Sequence, residues 1–315
     1  MSRPRPWVLA ATTLALFLIW SNSFTAISYL LGTDGGAARL DWVGLTVARF
    51  VTAALPCAAY LLAFRRRESL ALLRSHWRRL AVCGLFAVPG YNLALYYGQQ
   101  HGVAAPIASL TTTLLPLFVM LLAAAFLDER LSRRRVAGFG VAAIGMAVVS
   151  LAKRDGTHLD YPVLIAITAL APLSWSIYSV MSKPMTGRVD PIVWTYLATT
   201  AGTVMTLPLL PGSSWRQWSR LDAPGWGALL YLALPCTVLG FALWTWLLRH
   251  LPASTVGFTV FLNPPLTTAS KFLLAAFLPA TFAFTILPRE WLGGAVTLVG
   301  LAIALYAPAR PHRSR

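Results

Sequence analysis

Ten stretches of this chain are mostly apolar, nearly free of charge and about 20 residues long, the length a helix needs to cross the hydrocarbon core of a bilayer. They run over 7–31, 42–64, 79–99, 103–127, 134–152, 162–183, 190–210, 224–248, 252–278 and 288–307. The segments between them are short and leave no room for a separate soluble domain. Composition agrees: 57% of the 315 residues are hydrophobic and 11% charged, with mean hydropathy +0.65, whereas soluble domains carry about 25% charged residues. A water-soluble core of this size could not bury that much apolar surface. The chain therefore reads as an all-α polytopic membrane protein with ten transmembrane helices. Its three cysteines, Cys57, Cys83 and Cys236, all lie in apolar stretches, which excludes a disulfide scaffold or a thiolate metal site.

The formal net charge is +16, from 26 Lys and Arg against 10 Asp and Glu. In a soluble protein that balance would suggest nucleic acid. Here the basic residues sort by loop: eighteen fall on one side of the ten spans and six on the other, with Arg49 and Lys271 inside spans. Positive charge accumulates on the cytoplasmic side, so both termini are expected in the cytoplasm of a cell inner (plasma) membrane. The charge is then a topology signal and an attraction to anionic headgroups, and no nucleic-acid partner is expected. The first span reads as a retained helix, because its apolar run continues past Trp20 with no small-residue cleavage site.

The second half of the sequence repeats the first. Leu18-Ile19-Trp20-Ser21 matches Leu173-Ser174-Trp175-Ser176 at an offset of 155, and Gly138 and Gly145 match Gly293 and Gly300 at the same offset. His101 and Ala104 match His250 and Ala253 at 149, and an insertion of six residues near 279–287 restores the longer offset. The repeats are therefore 7–152 and 162–307, five helices each. An odd number of crossings inverts the second copy relative to the first. Inverted repeats typify secondary transporters, whose substrate sites lie near the midplane at the repeat interface.

Polar groups within spans are costly in lipid and mark pathway candidates. The candidates for substrate binding around a central cavity are Trp20, Asn22, Arg49, Asn92, Tyr96, Trp175, Tyr178, Trp244, Asn263 and Lys271. Serines and threonines nearby bond their own helices more often than a ligand. Arg49 either snorkels outward to Asp34 or Asp41 or anchors a substrate carboxylate, and Lys271 either snorkels along its stem or reaches the cavity. All ten acids fall in loops or at span ends, so no mid-membrane carboxylate is available as a proton or sodium relay. Pro116 and the pair Pro264 and Pro265 occupy equivalent repeat positions and are candidate hinges. Helices 5 and 10 are glycine-rich and would pack either a dimer or their own neighbours, so the chain is a monomer or homodimer. No phosphate loop, zinc motif or nucleophile elbow is present, and neither a cofactor, a bound metal nor enzyme activity is expected.

The motifs have a family likeness. Trp20-Ser21-Asn22-Ser23-Phe24, Ala48-Arg49-Phe50, Thr111 to Leu115 followed by Pro116, and Leu127-Asp128-Glu129-Arg130-Leu131-Ser132 stand in the first half. Trp175 with Tyr178 and Lys183, then Trp244 followed by Leu248-Arg249, stand in the second. This pattern resembles the drug/metabolite transporter superfamily, in particular proteins built from two EamA domains. Ser21 departs from the glycine common after that tryptophan, and the second copy lacks the Gly-Glu end, with Leu278-Pro279 near its place. The resemblance implies a basket-shaped ten-helix exporter with a central cavity, often carrying amino acids or related metabolites outward by alternating access. A drug or lipid-linked-sugar exporter of the same fold is the alternative, and an intramembrane enzyme or receptor the more distant one.

Overall fold

The computed structural model describes residues 4–33, 37–103, 111–129, 132–151, 162–210, 212–263, 266 and 288–305, and every regular element among them is helical. In chain order these are α1 (Pro6–Ser21), α2 (Ser23–Leu31), α3 (Trp42–Phe64), α4 (Arg66–Leu85) and α5 (Tyr91–Gln100). There follow α6 (Leu115–Phe126), α7 (Arg133–Leu151), α8 (Pro162–Thr186), α9 (Pro191–Thr206) and the short α10 (Gly212–Ser219). The last four are α11 (Ala223–Tyr231), α12 (Gly240–His250), α13 (Ala253–Phe258) and α14 (Pro288–Leu305). Among the described residues, five continuous helical segments are long and apolar enough to cross a membrane: Pro6–Leu31, Trp42–Phe64, Arg66–Gln100, Pro191–Leu209 and Ala223–His250. Shorter apolar helices occupy Leu115–Phe126, Ala253–Leu262 and Leu292–Ala304.

The third crossing begins earlier than its apolar run. Arg66 to Ser75 already form helix, joined to the rest across a non-helical His76. The exposed Trp77 and the arginines of this turn suit an interfacial position.

The acids explain where several helices begin. Asp41, Asp190 and Asp222 are the N-caps of α3, α9 and α11, accepting from the backbone N–H of Gly44, Ile192 and Gly225. A carboxylate there satisfies an orphan donor and faces the positive end of the helix dipole. Gly32 ends α2 in the left-handed conformation (φ 69°), where a Cβ would sit 2.5 Å from the Ala38 nitrogen.

The distribution of side chains is inside-out relative to a soluble protein. Phe64 (75% exposed), Leu55 and Leu62 (68%) point outward, whereas Arg49, Asn92 and Gln99 are buried with many Ser and Thr. That pattern fits lipid as the surrounding solvent, since apolar groups cost nothing there and polar ones must pair internally.

Glycines set the closest helix contacts. A Cβ on Gly300 of α14 would lie 2.3 Å from the Ala142 nitrogen of α7, and one on Gly145 would lie 2.6 Å from the Gly293 carbonyl. Gly138 likewise meets Gly300 and Ala304. The glycine faces of α7 and α14 are thus used against each other within one chain, which answers the question of what they pack. Gly84 of α4 and Gly202 of α9 make a second backbone-to-backbone approach. Small residues permit such contacts, and dispersion and weak polar interactions hold helices together where lipid removes the hydrophobic drive.

Candidate functional site

Two interruptions prepare the centre of the bundle. Pro89 and Pro235 lack the N–H an α-helix needs, and both lie in π-helical turns, Phe86–Gly90 between α4 and α5 and Leu232–Leu239 between α11 and α12. A widened turn releases backbone carbonyls from the helical ladder. Side chains then take them up: Asn92 Nδ2 donates to Val88 O at 2.9 Å and Ala87 O at 3.3 Å, and Trp20 Nε1 donates to Cys236 O at 2.9 Å. Gly240 makes the last contact possible, since a Cβ there would fall 2.4 Å from the indole nitrogen.

Arg49 of α3 joins the two turns. Its Nε donates to Thr237 Oγ1 at 2.9 Å and to Leu232 O at 3.2 Å, and its Nη1 donates to Tyr96 OH at 2.6 Å and Asn92 Oδ1 at 3.3 Å. The residue is 5% exposed and forms no ion pair with any described carboxylate. Asp41, one of its two expected partners, instead caps α3 and bonds Gln217, and Asp34 lies outside the described residues. Arg49 therefore points into the bundle and not out to the interface. An arginine at such depth costs about 3 kcal/mol even on the mildest scale. Four neutral partners reduce that cost, and no described carboxylate cancels the charge.

Beside Arg49 lies a cavity enclosing about 620 Å³ of empty space, part of it open to solvent. Trp20, Phe24, Arg49, Tyr91, Asn92, Thr112, Trp175, Phe241 and Asn263 contribute to its wall. The lining, apolar with a few polar groups, suits a small organic molecule. Its floor is aromatic: Trp175 meets Phe241, Trp20, Tyr91 and Trp244 at centroid distances of 4.6, 5.5, 5.5 and 5.8 Å, mostly edge to face. Trp175 is 3% exposed, and its Nε1 has no hydrogen-bond partner among the described residues.

Of the residues singled out from sequence, Trp20, Arg49, Asn92, Trp175 and Asn263 line this cavity. Tyr96 is buried behind it and holds Arg49. Trp244 and Tyr178 support the floor, Trp244 donating to Ser179 Oγ at 3.0 Å and Tyr178 paired with Thr245 at 3.0 Å. Asn22 is not on the wall; its Nδ2 donates to Leu18 O at 3.1 Å where α1 meets α2. Pro116 occupies the first turn of α6, where a missing N–H costs no bond, directly after a break at Thr113 and Leu114. Lys271, Pro264 and Pro265 lie outside the described residues. Phe24 and Phe241 were not singled out, because an apolar residue in an apolar helix carries no signal of its own. Phe24 and Ile27 do follow Trp20 at i+4 and i+7, the spacing of one helical face.

A second polar cluster lies at the far end of the core beneath the floor. Glu129, just after α6, accepts from the backbone nitrogens of Ala253 (2.6 Å) and Ser254 (3.1 Å) and from Ser254 Oγ, so it sits on the N-terminus of α13. Lys183 Nζ donates to Leu251 O at 2.8 Å and to Leu248 O, closing the C-terminus of α12. Arg135 adds bonds to Ser254 Oγ (2.9 Å) and Thr255 Oγ1 (3.4 Å). One turn between α12 and α13 is thereby clamped by three charged side chains from three other segments, of which Glu129 and Lys183 complement the dipole of the helix end they meet while Arg135 binds through the Ser254 and Thr255 hydroxyls.

The sequence also matches a family model, described as the EamA-like transporter family, over residues 6–151 and again over 163–306. The chain belongs to the EamA-like transporter family. It is a multi-pass membrane transporter and not an enzyme. A protein of Streptantibioticus cattleyicolor described as a probable terminal-alkyne amino-acid exporter is 30% identical over 298 residues, 94% of this chain and 92% of that one. A probable amino-acid metabolite efflux pump of Salmonella typhimurium is 27% identical over 233 residues, 69% of this chain and 75% of the relative. An Escherichia coli protein of the same description is 25% identical over 201 residues, 59% of this chain and 67% of the relative. A solved crystal structure superposes with a TM-score of 0.70 at 22% identity, covering 96% of this chain and 97% of that one. That last likeness is one of fold.

Proposed function

We propose that this transporter exports amino acids or related small metabolites across the inner membrane by alternating access, with the substrate carboxylate meeting Arg49. The carrying observation is a buried guanidinium with no described carboxylate partner beside a mostly apolar cavity. Asn92 and Asn263 hydrogen-bond the substrate, Trp20 and Trp175 stack on its apolar part, and Lys271 is a second cation in the same apolar run, 252–278, as Asn263. The descriptions of the relatives as exporters of amino acids and their metabolites support this substrate class.

The wider reading is ten spans in two inverted repeats, 7–152 and 162–307, with both termini cytoplasmic. Paired details support it. Gly138 meets Gly300 and Gly145 meets Gly293, as a two-fold relation with an offset of 155 requires. His101 bonds Tyr97 O and stacks on that ring, and His250 does the same with Trp246, four residues apart in each case and 149 apart between copies. With cytoplasmic termini, the Glu129–Lys183–Arg135 clamp closes the cytoplasmic end, and Pro116, with Pro264 and Pro265 at the equivalent positions of the second repeat in the sequence, provides the hinges of the movement that opens it.

Counterflow in proteoliposomes tests the proposal. Vesicles loaded with an unlabelled neutral amino acid should transiently accumulate its trace label without any ion gradient, and Arg49→Gln should abolish this while the protein still elutes as a folded species. Equal flux in the variant would remove Arg49 from the substrate site, and silence across neutral, branched and aromatic amino acids would remove the substrate class.

A further inference from the structure

Among the described residues the wall of the cavity offers a cation and no anion, and the segments that carry its lining hold no acid in the sequence. No Asp or Glu occurs between 42 and 67, 69 and 127, 161 and 189, or 223 and 289, the segments that carry every residue lining the cavity beyond α2. The acids Asp41, Glu129, Asp190 and Asp222 are each committed to a helix N-terminus at a span end. Residues 264–287, outside the described residues except for 266, add only Lys271, a further positive charge.

Several neutral acceptors around Arg49 and Trp20 are engaged as well. Asn92 Oδ1 accepts from Arg49, the carbonyls of Leu232 and Cys236 accept from Arg49, Thr237 and Trp20, and Ser23 is tied to Trp20 O at 2.7 Å. An ammonium placed here would meet a like charge and neutral oxygens only. A site built to recognise an ammonium normally supplies a carboxylate or a set of free carbonyls, because a buried charge must be paired.

We infer that the cavity reads the carboxylate of its substrate and not the α-ammonium, so that organic monocarboxylates lacking the amino group, such as aryl- or alkyl-propionates and 2-oxo acids, are ligands of the same site. The inference rests on the assignment of the carboxylate to Arg49. The amino group of an amino acid is then tolerated without being selected, and a net monoanion is at least as well matched as a zwitterion to a cavity of net positive charge.

Calorimetric titration of the purified wild-type protein with three probes sharing one phenyl ring tests this. The probes are phenylalanine, 3-phenylpropionate and phenethylamine. The expected result is binding of phenylalanine and 3-phenylpropionate with affinities within about threefold, and no binding of phenethylamine, since a site that hydrogen-bonds a group loses tenfold or far more when the group is missing. Arg49→Lys, which keeps the charge and loses the planar fork, should weaken both carboxylates alike. Phenylalanine binding more than about tenfold tighter than 3-phenylpropionate would show that the ammonium is read. That result would overturn this inference and leave the proposed function standing. Binding of phenethylamine, or of none of the three, would overturn the carboxylate assignment itself and the inference with it.

Discussion

Replacing Glu129 by glutamine keeps the shape of the clamp at the α12–α13 turn and removes its charge. In the native protein the carboxylate accepts from Ala253 N at 2.6 Å, Ser254 N at 3.1 Å and Ser254 Oγ. An amide can keep one acceptor but must turn its NH2 toward another donor, so at least one backbone N–H loses its partner. Hydrogen bonds to a charged acceptor are worth about 1.5–3 kcal/mol and neutral ones about half of that. A carboxylate at a helix N-terminus adds up to about 1 kcal/mol through the dipole. Glu129 is half-buried, so screening trims the sum to about 2 kcal/mol, equivalent to about a thirtyfold rise in local opening. Hydrogen exchange read by mass spectrometry over peptides covering 248–258 measures that opening directly. The expected outcome is faster exchange confined to this turn and to the segment after α6. Asp128→Asn is the control, because Asp128 is exposed and makes no hydrogen bond to a described residue. Exchange of the turn unchanged in Glu129→Gln, or changed equally in Asp128→Asn, would refute the view that this carboxylate holds the end of the bundle closed.

Other outcomes follow from the same geometry. Gly300→Leu should drive α14 off α7 and lower the melting temperature markedly, whereas Gly294→Ala, whose Cβ meets nothing within 4 Å, should leave it unchanged or raise it by up to about 1 kcal/mol of helix propensity; equal melting of the two variants would refute the packing argument. Trp175→Phe removes a buried N–H that has no described partner while keeping most of the ring, so thermal stability should change by less than about 1 kcal/mol. A large loss would reveal a hidden partner for that nitrogen. Pro235→Ala allows the π turn to relax toward an α-helix, withdrawing Leu232 O and Thr237 from Arg49; counterflow should fall with stability held or improved, and unchanged flux would separate the turn from function.

Much of this molecule was legible from residue order alone. The positions of the apolar runs and the confinement of acids to loops and span ends follow from the cost of burying charge in hydrocarbon, which acts on each residue separately. For the same reason Arg49 stood out as expensive before any contact was known. The capping roles of Asp41, Asp190 and Asp222 extend that logic, since each precedes a helix and its side chain reaches the first exposed donors. Glu129 breaks the pattern: it serves the N-terminus of a helix 124 residues away, a pairing that no local signal announces.

Which face of each helix turns inward was decided only by tertiary structure. In water an amphipathic stripe marks the buried face, but lipid and protein interior are both apolar, so a membrane helix is apolar all round and its periodicity is silent. The two π turns add to this, because each extra residue rotates everything beyond it by about 100° relative to a regular helix. Asn92 and Tyr96 therefore come to Arg49 across one such turn, and Thr237 and Leu232 come from another, 188 and 183 residues along the chain. The sequence determined that this chain lives in a membrane, and that the segments lining its cavity hold an arginine and no acid. The packing of two widened turns around that arginine, which brings groups remote in sequence into hydrogen-bonding distance, decided where the cavity is and what charge it presents.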